Sequence, residues 1–184
     1  MDEFNRINRR GFLKQSMALG LAAGGSAFLG GSHRLWAGDV SSNPPDLVAV
    51  KNGEPDALFN KAISLYGGMS RFVKNGQTVV IKPNIGFPSR PEMGATTNPL
   101  LIKTLVEQCL GAGAAKVYVF DNVTMTGGAA RDCYRLSGIE EAAGKAGAVV
   151  VPADDEKYFK TVQIPGATIL GEVKVHELWL NSDV

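Results

Sequence analysis

The segment VVIKPN, residues 79–84, begins as a buried β-strand and ends in polar side chains. Its apolar run is typical of a strand that is covered on both faces of a parallel sheet. It closes with Lys82, Pro83 and Asn84, and ligands of open parallel sheets bind at the carboxyl ends of the strands, where the strand order reverses. The segment therefore predicts an α/β sheet with a cation and an amide at the edge of a ligand cleft.

Strand and helix patterns alternate on both sides of this segment. The strands are predicted at residues 47–51 (LVAVK), 78–83 (TVVIKP), 116–121 (KVYVFD) and 148–153 (AVVVPA). Helices are predicted from Pro55 to Gly67, from Pro99 with Asn98 as its cap, and over 129–146 with an interruption near Gly138. The alternation predicts a Rossmann-like, doubly wound, mostly parallel sheet with right-handed crossovers. Segments 161–165 and 172–176 are candidates for an antiparallel edge pair.

The first 37 residues have the pattern of a twin-arginine export signal. The residues that carry the motif are Arg9, Arg10, Phe12, Leu13 and Lys14. Residues 17–31 are apolar but rich in Gly and Ala, and they are shorter than the roughly 20 strongly apolar residues that span a bilayer. The alternative is a buried amphipathic helix with an accidental arginine pair. We expect a signal peptide at 1–37, a linker at 38–46 and an α/β domain at 47–184.

This signal predicts a periplasmic or extracytoplasmic protein that the twin-arginine machinery exports after folding. Folding before export is compatible with a cofactor acquired in the cytoplasm but does not require one. The signal holds five of the 19 Lys and Arg residues and two of the 18 acidic ones, so the remainder carries a small negative charge. A body with that balance has no bulk attraction for nucleic acid. No stable membrane span is expected either.

Cys109 and Cys133 match no metal-binding spacing and are too few for a disulfide scaffold. We expect two buried free thiols on helices, with a disulfide as the alternative. His176 is the single histidine outside the signal, which argues against a histidine-rich metal site in residues 38–184. We therefore assign no metal ligand and interpret His176 as a strand residue.

Three loops at the predicted sheet edge carry side chains suited to an anionic ligand. The candidate ligand-binding residues are Lys82, Asn84, Thr96, Thr97, Asp121, Asn122, Thr124, Thr126, Gly127 and Gly128. The loop 85–97 is longer than the 2–6 residues usual between a strand and a helix. Each of these residues alone is equally compatible with a capped loop or a solvated lysine, so the prediction depends on their convergence.

Acid–base candidates are limited to Asp121 at the sheet edge and to Asp154, Asp155 and Glu156 after the fourth strand. The acidic run is typical of a solvated turn. Asp121 is suited to holding a metal, orienting a ligand hydroxyl or capping the next helix, and the sequence leaves these roles open. No catalytic residue is assigned.

Five segments of the chain form a familiar succession: VAVKNG, GGMSRFVKNGQTVVIKPNIG, TNPLLIKTLVEQCLGAGAAKVYVFDN, YRLSGIEEAAGKAGAVVV and the final NSDV. Together they resemble the domain of unknown function 362 family. The resemblance covers residues 47–184, and its strongest feature is the strand ending IKPN before a loop and a helix start. The family's domain continues past the aspartate–valine step, so the resemblance implies a chain truncated at its C-terminus.

The family includes exported members and members with attached iron–sulfur ferredoxin modules. The resemblance implies a redox- or metal-associated enzyme, or an enzyme component, that binds a small anionic ligand or cofactor at the strand ends. The cofactor is unknown, and an iron–sulfur cluster would need residues beyond Val184 because no ferredoxin cysteine run is present here. The alternative is a non-catalytic periplasmic module that binds a ligand or docks a partner.

Overall fold

The computed structural model of this chain describes residues 45–123, 128–153 and 155–184, which all lie in one compact unit. The helices in these ranges are α1 (Pro55–Leu65), α2 (Pro99–Gly111), α3 (Gly128–Leu136), α4 (Ile139–Lys145) and α5 (Glu177–Asn181). The strands are β1 (Thr78–Ile81), β2 (Lys116–Val119), β3 (Val149–Val150), β4 (Phe159–Gln163) and β5 (Glu172–His176). The predicted export signal, including Arg9, Arg10, Phe12, Leu13 and Lys14, lies outside the described residues.

The first three strands form a parallel sheet in the order β1-β2-β3. Ile81 of β1 lies opposite Val119 of β2, and Val119 lies opposite Val150 of β3. Helix α2 connects β1 to β2, and α3 and α4 connect β2 to β3. The predicted mixture of helices with a mainly parallel sheet is therefore confirmed.

The helix boundaries follow the local signals in the sequence. The Asn98 side chain accepts a hydrogen bond from the Leu100 N–H at 2.9 Å, and Pro99 occupies the first helical position, as predicted. Gly138, with φ +71°, separates α3 from α4. Gly113 has φ +98°, and a Cβ there would lie 2.8 Å from Asn75 Oδ1, so this turn requires glycine.

One face of the parallel sheet carries the core. The buried side chains of β1 and β2 alternate along each strand, and they are Val79, Ile81, Val117 and Val119. They form one cluster with Ile102 and Val106 of α2 and with Ile139 of α4. The intervening Val80 and Tyr118 are only partly buried. Within the described residues, the sheet is therefore not buried on both faces as its apolar runs predicted.

One other prediction about the fold is wrong. Residues 47–51 are not a strand, because no backbone hydrogen bond joins them to another described segment, and β-propensity alone does not supply a ladder partner. In α1, the residues that pack against the core include Phe59 and Ile63, whereas Leu65 is exposed.

The antiparallel pair exists, but it is not an edge of the parallel sheet. Strands β4 and β5 form a separate two-stranded sheet in which Phe159 lies opposite His176. Helix α5 begins directly after β5, and the His176 Nδ1 atom accepts a hydrogen bond from the Leu178 N–H at 3.2 Å. The hairpin and α5 contribute their aromatic side chains to the neighbourhood of Phe120, at the end of β2.

Residues 183 and 184 run along the edge of β1 that faces away from β2. The Thr78 carbonyl accepts from the Val184 N–H at 3.3 Å, and the Val184 carbonyl accepts from the Val80 N–H at 2.8 Å. This is the hydrogen-bond pattern of parallel neighbours. The Asp183 carboxylate also accepts from the Thr78 N–H at 2.7 Å, so the start of β1 is held by both backbone and side chain.

Candidate functional site

Lys82 and Asp121 join the ends of β1 and β2. The Lys82 Nζ and Asp121 Oδ1 atoms are 2.5 Å apart, and the lysine side chain is 49% exposed while the aspartate side chain is 5% exposed. The lysine also donates to the Pro83 carbonyl at 3.3 Å. Because an ammonium has three N–H donors, these two contacts leave one donor for a further acceptor.

Asp121 is engaged on several sides. Its Oδ2 atom accepts from the Ile85 N–H at 2.7 Å, which fixes the start of the loop after β1. Its backbone is held by the buried Tyr134, whose hydroxyl accepts from the Asp121 N–H at 2.9 Å and donates to the Asp121 carbonyl at 2.6 Å. Helix α3 begins at Gly128, seven residues after Asp121, so Asp121 is not its N-cap residue and that alternative from the sequence is wrong.

Asn84 and Thr97 close the base of the loop between β1 and α2. The Asn84 N–H donates to Thr97 Oγ1 at 2.8 Å, and the Thr97 N–H donates to the Asn84 carbonyl at 3.0 Å. The Asn84 amide donates to the Ala95 carbonyl at 3.3 Å and accepts from the Gly86 N–H at 3.1 Å. These contacts give Asn84 and Thr97 a structural role in shaping the loop.

A cavity of about 190 Å³ lies beside the Lys82–Asp121 pair. The ends of β1 and β2 contribute Lys82, Phe120 and Asn122 to its wall. The hairpin and α5 contribute Phe159, Lys174, Val175, His176 and Trp179. The side chains of two lysines and one asparagine therefore line a small cavity together with four aromatic rings.

His176 is enclosed by aromatic rings. Its imidazole stacks on Phe120 with the ring centroids 4.5 Å apart, meets Phe159 edge to face at 5.2 Å, and lies 5.7 Å from Tyr158. The residue is only 2% exposed, and this burial lowers the pKa of the imidazole, although the Glu177 carboxylate opposes the shift.

The buried imidazole is held in one tautomer. Because His176 Nδ1 accepts from the Leu178 N–H, the proton of the neutral ring lies on Nε2. That atom is buried and has no hydrogen-bond partner among the described residues.

The structure brings together three of the ten candidate ligand-binding residues, namely Lys82, Asp121 and Asn122. Asn84 and Thr97 instead hydrogen-bond to each other at the base of the loop between β1 and α2. The Thr96 Oγ1 atom is buried without a partner in the described part of the chain. Thr124, Thr126 and Gly127 lie outside the described residues, and Gly128 is the first residue of α3.

The acidic run after β3 forms a solvated turn, as expected. Asp155 accepts from the Lys157 N–H at 3.0 Å at the start of a 3₁₀ turn, and Glu156 is exposed. Asp154 lies outside the described residues.

Cys109 and Cys133 are buried and free, as predicted, and burial raises the pKa of Cys109 to about 11.

The described residues do not fit an iron–sulfur cluster or a metal ion. Nowhere in 45–123, 128–153 and 155–184 do three or more His, Cys, Asp or Glu side chains come together as a metal site would require. The two cysteines are buried thiols in different helices, α2 and α3. No step of a mechanism is therefore assigned to such a group.

The comparison with known families agrees with the resemblance seen in the sequence around β1. Residues 79–184, more than half of the chain, match the model of a domain of unknown function, DUF362. The chain belongs to the DUF362 family. No curated protein and no solved structure matches it. In the described part of this family member, no helix has the length and apolar character needed to cross a membrane.

Sequence reasoning missed the part of the cavity wall that comes from the hairpin and α5. The alternation in EVKVH does place Lys174 and His176 on the same face of β5, and this was a usable signal. Nothing local indicates that this face lies beside Phe120, because that contact joins segments more than 50 residues apart in the sequence.

The Lys82–Asp121 pair is expected to contribute to stability in a way that a surface pair does not. Lys82→Met leaves a buried carboxylate without its cation and should lower the free energy of unfolding by about 2 kcal/mol, less than for a fully buried pair because the lysine is half exposed. Asp121→Asn should cost about 1–3 kcal/mol. In the double variant, the loss of unfolding free energy should be about 1 kcal/mol smaller than the sum of the two single losses. Urea denaturation followed by circular dichroism measures each value.

The matched control is Lys103→Met, which removes an ion pair with Glu107 on the surface of α2, where both side chains are about half exposed and 3.6 Å apart. This variant should leave the free energy of unfolding nearly unchanged. Equal losses for Lys82→Met and Lys103→Met, or strictly additive effects in the cycle, would contradict the role of the Lys82–Asp121 pair.

The buried His176 should make the protein less stable in mild acid. Its folded pKa is lower than the usual value of 6.5, so below pH 6.5 the unfolded chain binds the proton first. Stability from this residue should therefore fall as the pH drops from about 6.5 towards the folded pKa, and then level off. His176→Asn keeps an acceptor for the Leu178 N–H but cannot titrate, and it should lose this part of the pH dependence.

The measurement is the free energy of unfolding at intervals between pH 7.5 and 5. The chain has two histidines, and His33→Asn is the control because it removes the other one. If the His176→Asn variant keeps the pH dependence of the original protein, the buried His176 is not the source of that dependence.

Proposed function

We propose that this DUF362 member is an exported enzyme or enzyme component that binds a small anionic ligand at the carboxyl ends of β1 and β2. The observation that carries the proposal is the convergence of Lys82, Lys174 and Asn122 on one small cavity. Two ammonium groups attract an anion, and the amide supplies a donor and an acceptor that orient it. The proposed link to redox or metal chemistry comes from the family resemblance alone.

The charges around the cavity support an anion with one negative charge. Lys82 is neutralised in part by Asp121 at 2.5 Å. The nearest carboxylate of Lys174 is that of Glu156 at 3.6 Å, and because Glu156 is 89% exposed the attraction is screened by water. Lys174 is therefore the more weakly paired of the two lysines in the cavity wall.

The strand order supports a doubly wound, Rossmann-like arrangement around this site. β2 and β3 follow β1 on one side, whereas Val184 pairs in parallel with the opposite edge of β1. A sheet that continues in this direction reverses its strand order at β1, and ligands of such sheets bind in the crevice beyond the strand ends at the reversal. Lys82 follows β1 directly, so it would lie at this crevice.

A second candidate is a non-catalytic binding module, and the state of Asp121 favours it. One carboxylate oxygen pairs with Lys82 and the other accepts from the Ile85 N–H. A carboxylate engaged on both oxygens is poorly placed to take a proton from a ligand. Binding without turnover thus uses the same cavity, with Asp121 holding Lys82 in position.

Titration with acetate and inorganic phosphate, followed by NMR shifts of the full chain, tests the proposed site. Lys174→Met should weaken acetate binding roughly 3- to 10-fold, because it removes the charge of the more weakly paired lysine. Added salt should reduce the affinity of the original protein. Prolonged incubation with a bound ligand, analysed for product, separates the enzyme from the binding module.

The control is Lys160→Met, which removes the same charge from the same hairpin at a residue that does not line the cavity. It should leave acetate binding within about 2-fold of the original. The proposed function fails if neither anion shifts the resonances of Trp179 and Asn122, or if the two lysine variants weaken binding equally.

We also propose that residues 1–37 direct export by the twin-arginine route to the periplasm. The motif residues Arg9 and Arg10, with Phe12, Leu13 and Lys14, support this proposal. Because the signal is read by a receptor, Arg9→Lys with Arg10→Lys should retain the protein in the cytoplasm although the charge is unchanged. Cell fractionation measures the distribution, with Lys14→Arg as a milder control, and normal export of the double variant would exclude this route.

A further inference from the structure

The cavity wall is more aromatic than a site that binds any small anion would require. Phe120, Phe159 and Trp179 line it together with the imidazole of His176. Trp179 contacts the Phe120 ring edge to face at 5.7 Å, yet 48% of the residue remains exposed. An indole that is packed on one side and open on the other offers a surface on which a flat apolar group can stack.

The imidazole adds a fourth ring to this wall, with one buried N–H at Nε2 that has no partner among the described residues. His176 lies inside the aromatic cluster and is buried, so it forms part of the wall as a neutral ring near neutral pH. The positive charge is carried by Lys82 and Lys174. The cavity thus has an aromatic wall and a cationic part, which matches a ligand with an apolar body and an anionic group.

The volume limits the size of that body. At about 190 Å³ the cavity is smaller than the roughly 300–1,000 Å³ typical of drug-sized ligands, so it cannot enclose a dinucleotide or a tetrapyrrole. An apolar cavity of about 150 Å³ in another protein holds benzene. The space here is therefore enough for one six-membered ring with one small substituent.

The charge balance favours a carboxylate over a phosphate dianion. Lys82 has one N–H left after its contacts with Asp121 and Pro83, and Lys174 adds a second positive charge whose partner, Glu156, is exposed. A phosphate dianion brings two negative charges, whereas Lys82 is already paired with Asp121 and Lys174 with Glu156. A carboxylate has one charge and two acceptor oxygens, which this set can satisfy.

We propose that the cavity between the strand ends and the hairpin binds a small carboxylate carried on a single planar ring. This inference rests on the proposed anion-binding function and specifies its ligand class. The ring stacks among Phe120, Phe159 and Trp179, while the carboxylate contacts Lys82 and Lys174. Lys174 and Phe159 are the residues that select charge and shape.

Tryptophan fluorescence of the full chain measures this selection directly. The sequence contains two tryptophans, and Trp36→Phe leaves Trp179, in the cavity wall, as the single indole. The probes are benzoate, acetate, benzyl alcohol, cyclohexanecarboxylate and inorganic phosphate, with NMR shifts as the readout for weak binding. Benzoate should bind at least 10-fold more tightly than acetate, benzyl alcohol or phosphate, and about 3-fold more tightly than cyclohexanecarboxylate.

Phe159→Leu should weaken benzoate binding about 3- to 10-fold and change acetate binding by less than 2-fold. The matched control is Phe87→Leu, the same change at an exposed residue in the loop after β1, which should alter neither. Thermal denaturation of both variants verifies that each remains folded at the temperature of the titration.

The outcomes separate this inference from the anion site on which it rests. If acetate and benzoate bind equally and both depend on Lys174, the anion site stands and the ring-binding inference is overturned. Equal affinity for benzoate and cyclohexanecarboxylate would show that the cavity does not select a planar ring. Tighter binding of phosphate than of benzoate would show that it does not prefer a carboxylate. If benzyl alcohol binds as tightly as benzoate, or if none of the probes binds, both the inference and the proposed function are overturned.

Discussion

The ion pair between Lys82 and Asp121 organises the edge of the sheet on which the candidate site is built. It links the ends of β1 and β2 at a distance of 2.5 Å, and the same carboxylate anchors the first residue of the following loop through the Ile85 N–H. A nearly buried carboxylate requires a cation and hydrogen-bond donors. These requirements determine where the lysine, the loop start and the end of β2 lie relative to one another.

The pair also explains why a core strand ends in a cation. Val79 and Ile81 belong to the core, and the alternation along the chain then places Lys82 on the other face, where its side chain is 49% exposed. Its ammonium pairs with Asp121 and has one N–H left for a further acceptor. Lys82 therefore has a structural contact and a proposed ligand contact at once, whereas the carboxylate paired with Lys174, that of Glu156, is 89% exposed.

The hairpin formed by β4 and β5 converts this sheet edge into a cavity. His176 stacks on Phe120, and Trp179 contacts the same ring from α5, so aromatic packing holds the hairpin against the end of β2. Without these contacts, the side chains at the strand ends would face open solvent. The proposed selectivity thus comes from an element outside the parallel sheet.

Local chemistry in the sequence determined the elements of the parallel part and several of their boundaries. The apolar runs at β1 and β2, the Asn98 cap and the interruption at Gly138 were all predictable, because each follows from the preferences of neighbouring residues. The same reasoning identified Lys82, Asp121 and Asn122 as edge residues, since parallel strands end on one side. Only the tertiary structure decided that Asn84 and Thr97 close a loop, that residues 47–51 lack a ladder partner, and that Lys174, His176 and Trp179 complete the cavity. Those outcomes depend on which distant segments meet, and hydrophobic periodicity describes the face that a residue occupies but not the partner that covers it.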